Sequence, residues 1–216
     1  MKPLIFLTAG AHARVALEIF AQDSGWRPVG FLDDSPQAGL GALPRLGPLE
    51  QLREMPAGCA FVGMANIRLL DRRRALFEQG RALGWEMACA IHPRAFISPS
   101  AQHGSGLFLG PMAVVHTASR LGHNVCIYSG SVVEHDARVE DHVFLGPGVH
   151  LAGGVSLLEG AYLSVGARVG WGLTIGRNAL VAAGAVVVRD VPEGAMVMGA
   201  PARVVGTVQE WLEKPT

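Results

Sequence analysis

The sequence predicts an α/β domain of Rossmann-like strand–helix alternation followed by a β-solenoid. Three observations carry this expectation. An aliphatic residue recurs every six positions from Ile91 to Val187, and 28 glycines occur in 216 residues without low complexity. The first ninety residues instead alternate short apolar runs with amphipathic stretches. The expected boundaries are residues 1–89 for the first domain and 90–216 for the second, which ends in a short C-terminal tail.

Taken in order, Pro3-Leu4-Ile5-Phe6-Leu7 reads as a strand that runs into Thr8-Ala9-Gly10-Ala11-His12-Ala13. A helix follows, with Val15/Ile19 and Ala16/Phe20 at i,i+4 spacing. Val29-Gly30-Phe31-Leu32 is a second strand ending in Asp33-Asp34, and Cys59-Ala60-Phe61-Val62 a third ending in Gly63. A helix from about Arg68 to Leu83 carries Leu69, Leu76 and Leu83 one heptad apart, and Arg72-Arg73-Arg74 within it reads as a solvated face. Alternation of this kind builds a parallel sheet, whose ligands sit beyond the carboxyl ends of the strands. Ala9-Gly10-Ala11 lacks the GxGxxG pattern of dinucleotide binding. Asp33-Asp34-Ser35-Pro36 is open to two readings, a ligand-binding strand end or a simple turn.

From Ile91 the chain falls into seventeen hexads whose first positions are aliphatic in all but one, His103. The fifth positions, from Ala95 to Val191, are all small or aliphatic, and the second or fourth is often glycine. Neither the helical period of 3.6 nor strand alternation returns to one line every six residues. A triangular coil does, with three six-residue sides per turn and neighbouring coils about 4.8 Å apart. First-position side chains then fill the prism, and glycines accommodate the corners.

Composition narrows the function. Eighteen Lys+Arg balance eighteen Asp+Glu, so no global field draws the chain to nucleic acid or to an anionic membrane. Three cysteines without CxxC spacing suggest a reducing compartment and no structural zinc. The apolar run Leu4–Leu7 is too short for a signal segment or a membrane span. The expectation is a cytoplasmic protein.

His135 stands out among eight histidines. It occupies the third position of Val133-Glu134-His135-Asp136-Ala137-Arg138, at an outward corner, and one coil later the same position is Gly153, beside Gly154. A histidine over two bare glycines leaves room for a thioester. Imidazole titrates near neutrality and can take a proton from an attacking amine or hydroxyl. Asp136 can orient the ring, and the Gly153 N–H can donate to a developing oxyanion. Trp171, a further coil on, walls the same channel or simply packs on the surface.

The hexads resemble the hexapeptide-repeat transferases, and Gly199-Ala200-Pro201-Ala202-Arg203 resembles their closing segment. With the N-terminal layout of Gly10-Ala11-His12, Asp33-Asp34, Gly63 and the Ile91-His92-Pro93 join, the chain resembles nucleotide-sugar acyltransferases. These are the bacillosamine and perosamine N-acetyltransferases and their sialic-acid O-acetyltransferase relatives. The resemblance implies a left-handed parallel β-helix and a homotrimer, with acyl-CoA between prisms; no two histidines have the H-x4-H spacing of metal-binding hexapeptide proteins, so no metal is expected. It implies direct transfer by a His–acid pair, which Glu134-His135-Asp136 matches. It nominates Gly10, His12, Asp33, Asp34 and Gly63 for a nucleotide-linked sugar, and Gly153, Gly154, Trp171, Pro201 and Arg203 for acetyl-CoA. An Asn and a His of the family's acceptor pocket correspond to Tyr128 and Phe144 here, and Thr8 and Ala11 replace loop glycines. The acceptor is expected to be the amine of a nucleotide-linked amino sugar, with a hydroxyl on a sugar or other small molecule as the alternative.

Overall fold

A computed structural model describes residues 1–22 and 25–213. The chain divides into two compact units: Met1–Pro93 with Ser105–Phe108, and Arg94–Gly104 with Leu109–Thr216. The last three residues of the 90–216 domain expected from sequence lie outside the described residues.

The first unit is a five-stranded parallel sheet. Its strands are β1 (Lys2–Leu7), β2 (Trp26–Leu32), β3 (Arg45–Gly47), β4 (Cys59–Val62) and β5 (Glu86–Met87). They lie in the order β3-β2-β1-β4-β5. The order reverses at β1, so the crevice between the carboxyl ends of β1 and β4 is the topological switch point where such sheets take ligands. Helix α1 (Ala11–Gln22) buries His12, Ala13, Ala16, Ile19 and Phe20, one stripe at helical spacing, while Val15 is exposed. Ring contacts Phe6–Phe20 and Phe6–Phe61, each at 5.8 Å and edge-on, tie that stripe to the sheet.

The helix expected over Arg68–Leu83 is α2 (Leu70–Ala82), entered through a 3-10 turn at Ile67–Leu69. Of its heptad leucines only Leu76 lies on its buried face. Leu69 and Leu83 sit at its two ends and are exposed, and the face is Arg73, Leu76, Phe77 and Gly80. The arginine run is not a uniformly solvated face either. Arg73 is 3% exposed and donates to the Met64 carbonyl at 2.6 Å, and Arg72 pairs with Asp34.

The second unit is the β-helix. Two-residue strands pair in parallel with the strand eighteen residues on, as in Val114↔Val132, Arg120↔Arg138 and Cys126↔Phe144. Every first position from Leu109 to Val187 is buried, none more than 6% exposed. At about 1.5–3 kcal/mol per buried aliphatic side chain, this column is the main source of the prism's stability. The departure at His103 has a plain correlate: the first coil is open, with Ile91 and Ile97 half-buried and His103 exposed. Corner geometry separates the two glycine positions of the repeat. Every fourth position from Gly106 to Gly184 has φ between 52° and 70°, including Met112, Ala118, Asn124, Asp136, His142 and Asn178. The stack is closed by an antiparallel hairpin of Ala195–Gly199 with Ala202–Thr207 and by the short helix α3 (Val208–Leu212).

Candidate active site

His135 and Asp136 occupy the third and fourth positions of one hexad, between the strands Val132–Val133 and Arg138–Val139. The left-handed backbone at Asp136, φ 59°, swings its carboxylate back beside the preceding side chain. The result is a 2.7 Å contact between His135 Nδ1 and Asp136 Oδ2. An ionised carboxylate only accepts, so Nδ1 carries the proton, and in the neutral imidazole Nε2 then presents its lone pair. Both side chains are more than half exposed, so the pair is open to an incoming substrate.

The ring lies over Gly153. A Cβ built there would stand 2.6 Å from both Cε1 and Nε2 of His135, so a bare residue at 153 is a condition of this ring position. Coil contacts bind the next residues together: Gly154 N–H donates to the His135 carbonyl at 2.9 Å, and Gly172 N–H to the Gly153 carbonyl at 3.0 Å. The Gly153 N–H has no hydrogen-bond partner among the described residues and is available to a developing oxyanion. On the same corner Trp171 is 77% exposed. One coil before the site, His116 Nε2 lies 3.9 Å from Glu134 Oε1, a contact the sequence reasoning missed although the two are one coil apart.

Tyr128 and Phe144 do meet, with ring centroids 5.2 Å apart. Phe144 also stacks on Tyr162 at 4.5 Å and 3°, and it is only 5% exposed. Phe144 is therefore the inner member of an aromatic ladder, and Tyr162 is the member that sequence reasoning left out. Burial pushes the Tyr162 hydroxyl up from its ordinary range, with the Cys126 thiol adding to the shift. In the closing hairpin, Pro201 and Arg203 are both exposed, and Arg203 Nη1 donates to the Ala202 carbonyl at 2.9 Å.

In the first unit the sequence-nominated residues follow the carboxyl ends of β2 and β4 or stand at the start of α1. Asp33 bridges the strand ends: Oδ2 accepts from Ala9 N–H and Oδ1 from Ser35 N–H, each at 2.9 Å. Asp34 accepts from Leu49 N–H at 3.0 Å and pairs with Arg72. Arg45 donates to the Asp33 carbonyl at 3.0 and 2.6 Å. Both carboxylates thus shape the loop, and the turn at Ser35 is built by one of them. Gly63 N–H donates to the Leu7 carbonyl at 2.7 Å, and a Cβ at Gly63 would collide with the Thr8 carbonyl and with Ala13 Cβ. Gly10 is exposed at the start of α1, and its own Cβ would meet only the Gly63 carbonyl at 3.6 Å. His12 faces the core, 5% exposed, with its ring 5.5 Å from Phe61 and 4.6 Å from Phe108. Burial, then the Arg73 charge, holds its pKa well below the ordinary value.

Among the described residues, no group of three or more His, Cys, Asp or Glu is placed to hold a metal ion. No described helix is long and apolar enough to cross a membrane.

Fold and corner together have the form of a β-helical acyltransferase, and comparison with known proteins makes this specific. Residues 3–78 match the PglD N-terminal domain family. PerB from Caulobacter crescentus, solved in complex with CoA and GDP-perosamine, is 35% identical over 95% of this chain and 98% of that one, with a TM-score of 0.87. The acetyltransferase domain of PglB from Neisseria gonorrhoeae FA1090, solved with acetyl coenzyme A, is 31% identical over 94% and 99%, with a TM-score of 0.88. WeeI from Acinetobacter baumannii AYE shares the fold at 24% identity, with coverage of 94% and 100% and a TM-score of 0.78. The chain belongs to the hexapeptide-repeat nucleotide-sugar acyltransferases, the left-handed β-helix family of the perosamine and bacillosamine N-acetyltransferases.

Proposed function

We propose that this enzyme transfers the acetyl group of acetyl-CoA to the amino group of a nucleotide-linked amino sugar, with His135 as general base. The observation that carries the reading is the His135–Asp136 contact of 2.7 Å with the ring edge over Gly153. The amine nitrogen attacks the thioester carbon while Nε2 takes the proton that the nitrogen loses. Asp136 holds the imidazolium that forms, and the Gly153 N–H stabilises the oxyanion of the tetrahedral intermediate. Collapse expels the CoA sulfur, which leaves as the thiol after receiving that proton from Nε2. No acyl-enzyme is required.

The first unit holds the nucleotide at its switch point, through Gly10, Gly63 and the loop shaped by Asp33 and Asp34. Similarity to PerB, solved with GDP-perosamine, supports that division of labour. Gly154, Trp171, Pro201 and Arg203 serve acetyl-CoA, while Tyr128 and Phe144 border the acceptor. A homotrimer in the cytoplasm, with CoA between neighbouring prisms, belongs to the same reading. The test is to incubate the protein with acetyl-CoA and matched nucleotide sugars bearing either an amine or only hydroxyls, GDP-perosamine among the amines. Free thiol and product mass are followed. Acetylation of the amines supports the reading, and acetylation of hydroxyl acceptors alone overturns it.

A further inference from the structure

Thr8 is an anomaly at the place where the first unit takes ligands. It lies just past the carboxyl end of β1, beside Gly63 at the end of β4, and its backbone φ is 79°. A β-branched residue rarely adopts that region, because its Cβ crowds the following carbonyl. The conformation is held from three sides: Thr8 N–H donates to the Leu32 carbonyl at 2.8 Å, Ala9 N–H is bound by Asp33, and Gly63 abuts the Thr8 carbonyl. Thr8 is also 7% exposed, and its hydroxyl is buried without a hydrogen-bond partner among the described residues. Burying a hydroxyl in this way is unfavourable, and so is the backbone that presents it. Three residues on, α1 begins with no acidic residue in its first turn, and the positive end of its dipole lies at the same loop end.

We propose that Thr8 is a binding residue for the diphosphate of the nucleotide-linked substrate, its hydroxyl donating to a phosphate oxygen. A 120° turn about χ1 carries the threonine hydroxyl to another staggered position without moving the backbone. Such a turn brings the donor out of its unsatisfied position when an anion arrives at the start of α1. The ligand supplies the partner that the empty protein lacks and adds it to the helix N-terminal donors. Glycine at this position would relieve the backbone but offer no hydroxyl. Thr8 therefore gives this chain a phosphate contact that a glycine-rich loop does not have. The inference rests on the nucleotide reading of the first unit.

The experiment measures GDP and UDP binding to the full-length protein by titration calorimetry, with thermal unfolding of the same samples free of nucleotide. Wild type, Thr8→Val and Thr8→Ser are compared. Thr8→Val keeps the shape and removes the hydroxyl; it is expected to weaken nucleotide binding about tenfold. Its unfolding temperature without nucleotide is expected to be unchanged or higher, because an unsatisfied group has gone. Thr8→Ser is expected to bind within about threefold of wild type. Equal binding by wild type and Thr8→Val overturns the inference alone. So does a lower unfolding temperature for Thr8→Val with binding intact, since the hydroxyl then has an internal partner. If wild type binds neither nucleotide, the nucleotide reading fails and takes this inference with it.

Discussion

Replacing Gly153 with alanine separates the chemistry of the catalytic corner from its stability. The added Cβ would stand 2.6 Å from Cε1 and Nε2 of His135, where ordinary contact needs 3.4–4 Å. The ring must retreat by about 1 Å, the difference between those distances, and a displacement of this size in a reacting group costs about 100-fold in rate. Retreat is opposed at the other side of the ring, where Nδ1 is held to Asp136 at 2.7 Å. Gly153 is not among the glycines with positive φ, so alanine meets no backbone penalty there. The neighbouring glycine provides the contrast. Gly154 has φ 68°, and a Cβ on it would meet nothing closer than 3.8 Å. Gly154→Ala is expected to cost about 1–2 kcal/mol of stability with the ring left in place. Steady-state acetylation and urea unfolding of both variants give the readout. Gly153→Ala should lose about 100-fold in kcat with its unfolding midpoint intact, and Gly154→Ala should lose stability while keeping its kcat at saturating acetyl-CoA, any effect on acetyl-CoA binding appearing in KM. Activity within about threefold of wild type in Gly153→Ala would refute the ring position and the role drawn from it.

Other expectations follow from the same geometry. Asp136→Asn keeps a residue that tolerates positive φ but removes the charge that holds Nδ1–H. Its kcat is expected to fall by about 100-fold or more with little change in stability, as measured by the same two assays. Gly106→Ala adds a Cβ against the Phe77 ring at φ 70°, so chemical denaturation should show a loss of about 2 kcal/mol or more. His12 is held neutral in the fold by burial and by Arg73, with its pKa well below the 6.5 of the unfolded chain. The unfolded state therefore binds the extra proton first as pH falls, and stability drops below pH 6.5 by up to about 1.4 kcal/mol per pH unit until the folded pKa is reached. In His12→Leu this contribution to the slope, read from denaturation midpoints between pH 7 and 5, should disappear.

The solenoid was legible in the sequence because its period is rigid: one aliphatic side chain must return to the prism axis every six residues, whatever surrounds it. The same arithmetic placed His135 over Gly153. It also implied, unremarked, the pairing of Phe144 with Tyr162 and of His116 with Glu134, each one coil apart. Properties set by non-local packing were not legible in this way. Phe144 is expected from the resemblance at the acceptor pocket, and only the Tyr128 and Tyr162 rings packed against it make it an inner residue. Arg73 reads as solvated because its partner, the Met64 carbonyl, is a backbone atom that no charge pattern reveals. Strands β3 and β5, three and two residues long, fall below the length at which alternation shows. His12 did carry a signal. It shares the stripe of Ala16 and Ile19 on α1, a spacing that marks the buried face.

The most direct measurement is single-turnover acetyl transfer from acetyl-CoA to GDP-perosamine or another nucleotide amino sugar, comparing wild type with His135→Ala by free thiol and product mass. The expected result is an acetylated amine in wild type and a loss of about 100-fold or more in His135→Ala, with acetyl-CoA binding retained. Transfer at the wild-type rate in His135→Ala would contradict the assignment of His135 as the base, and with it the account of this corner.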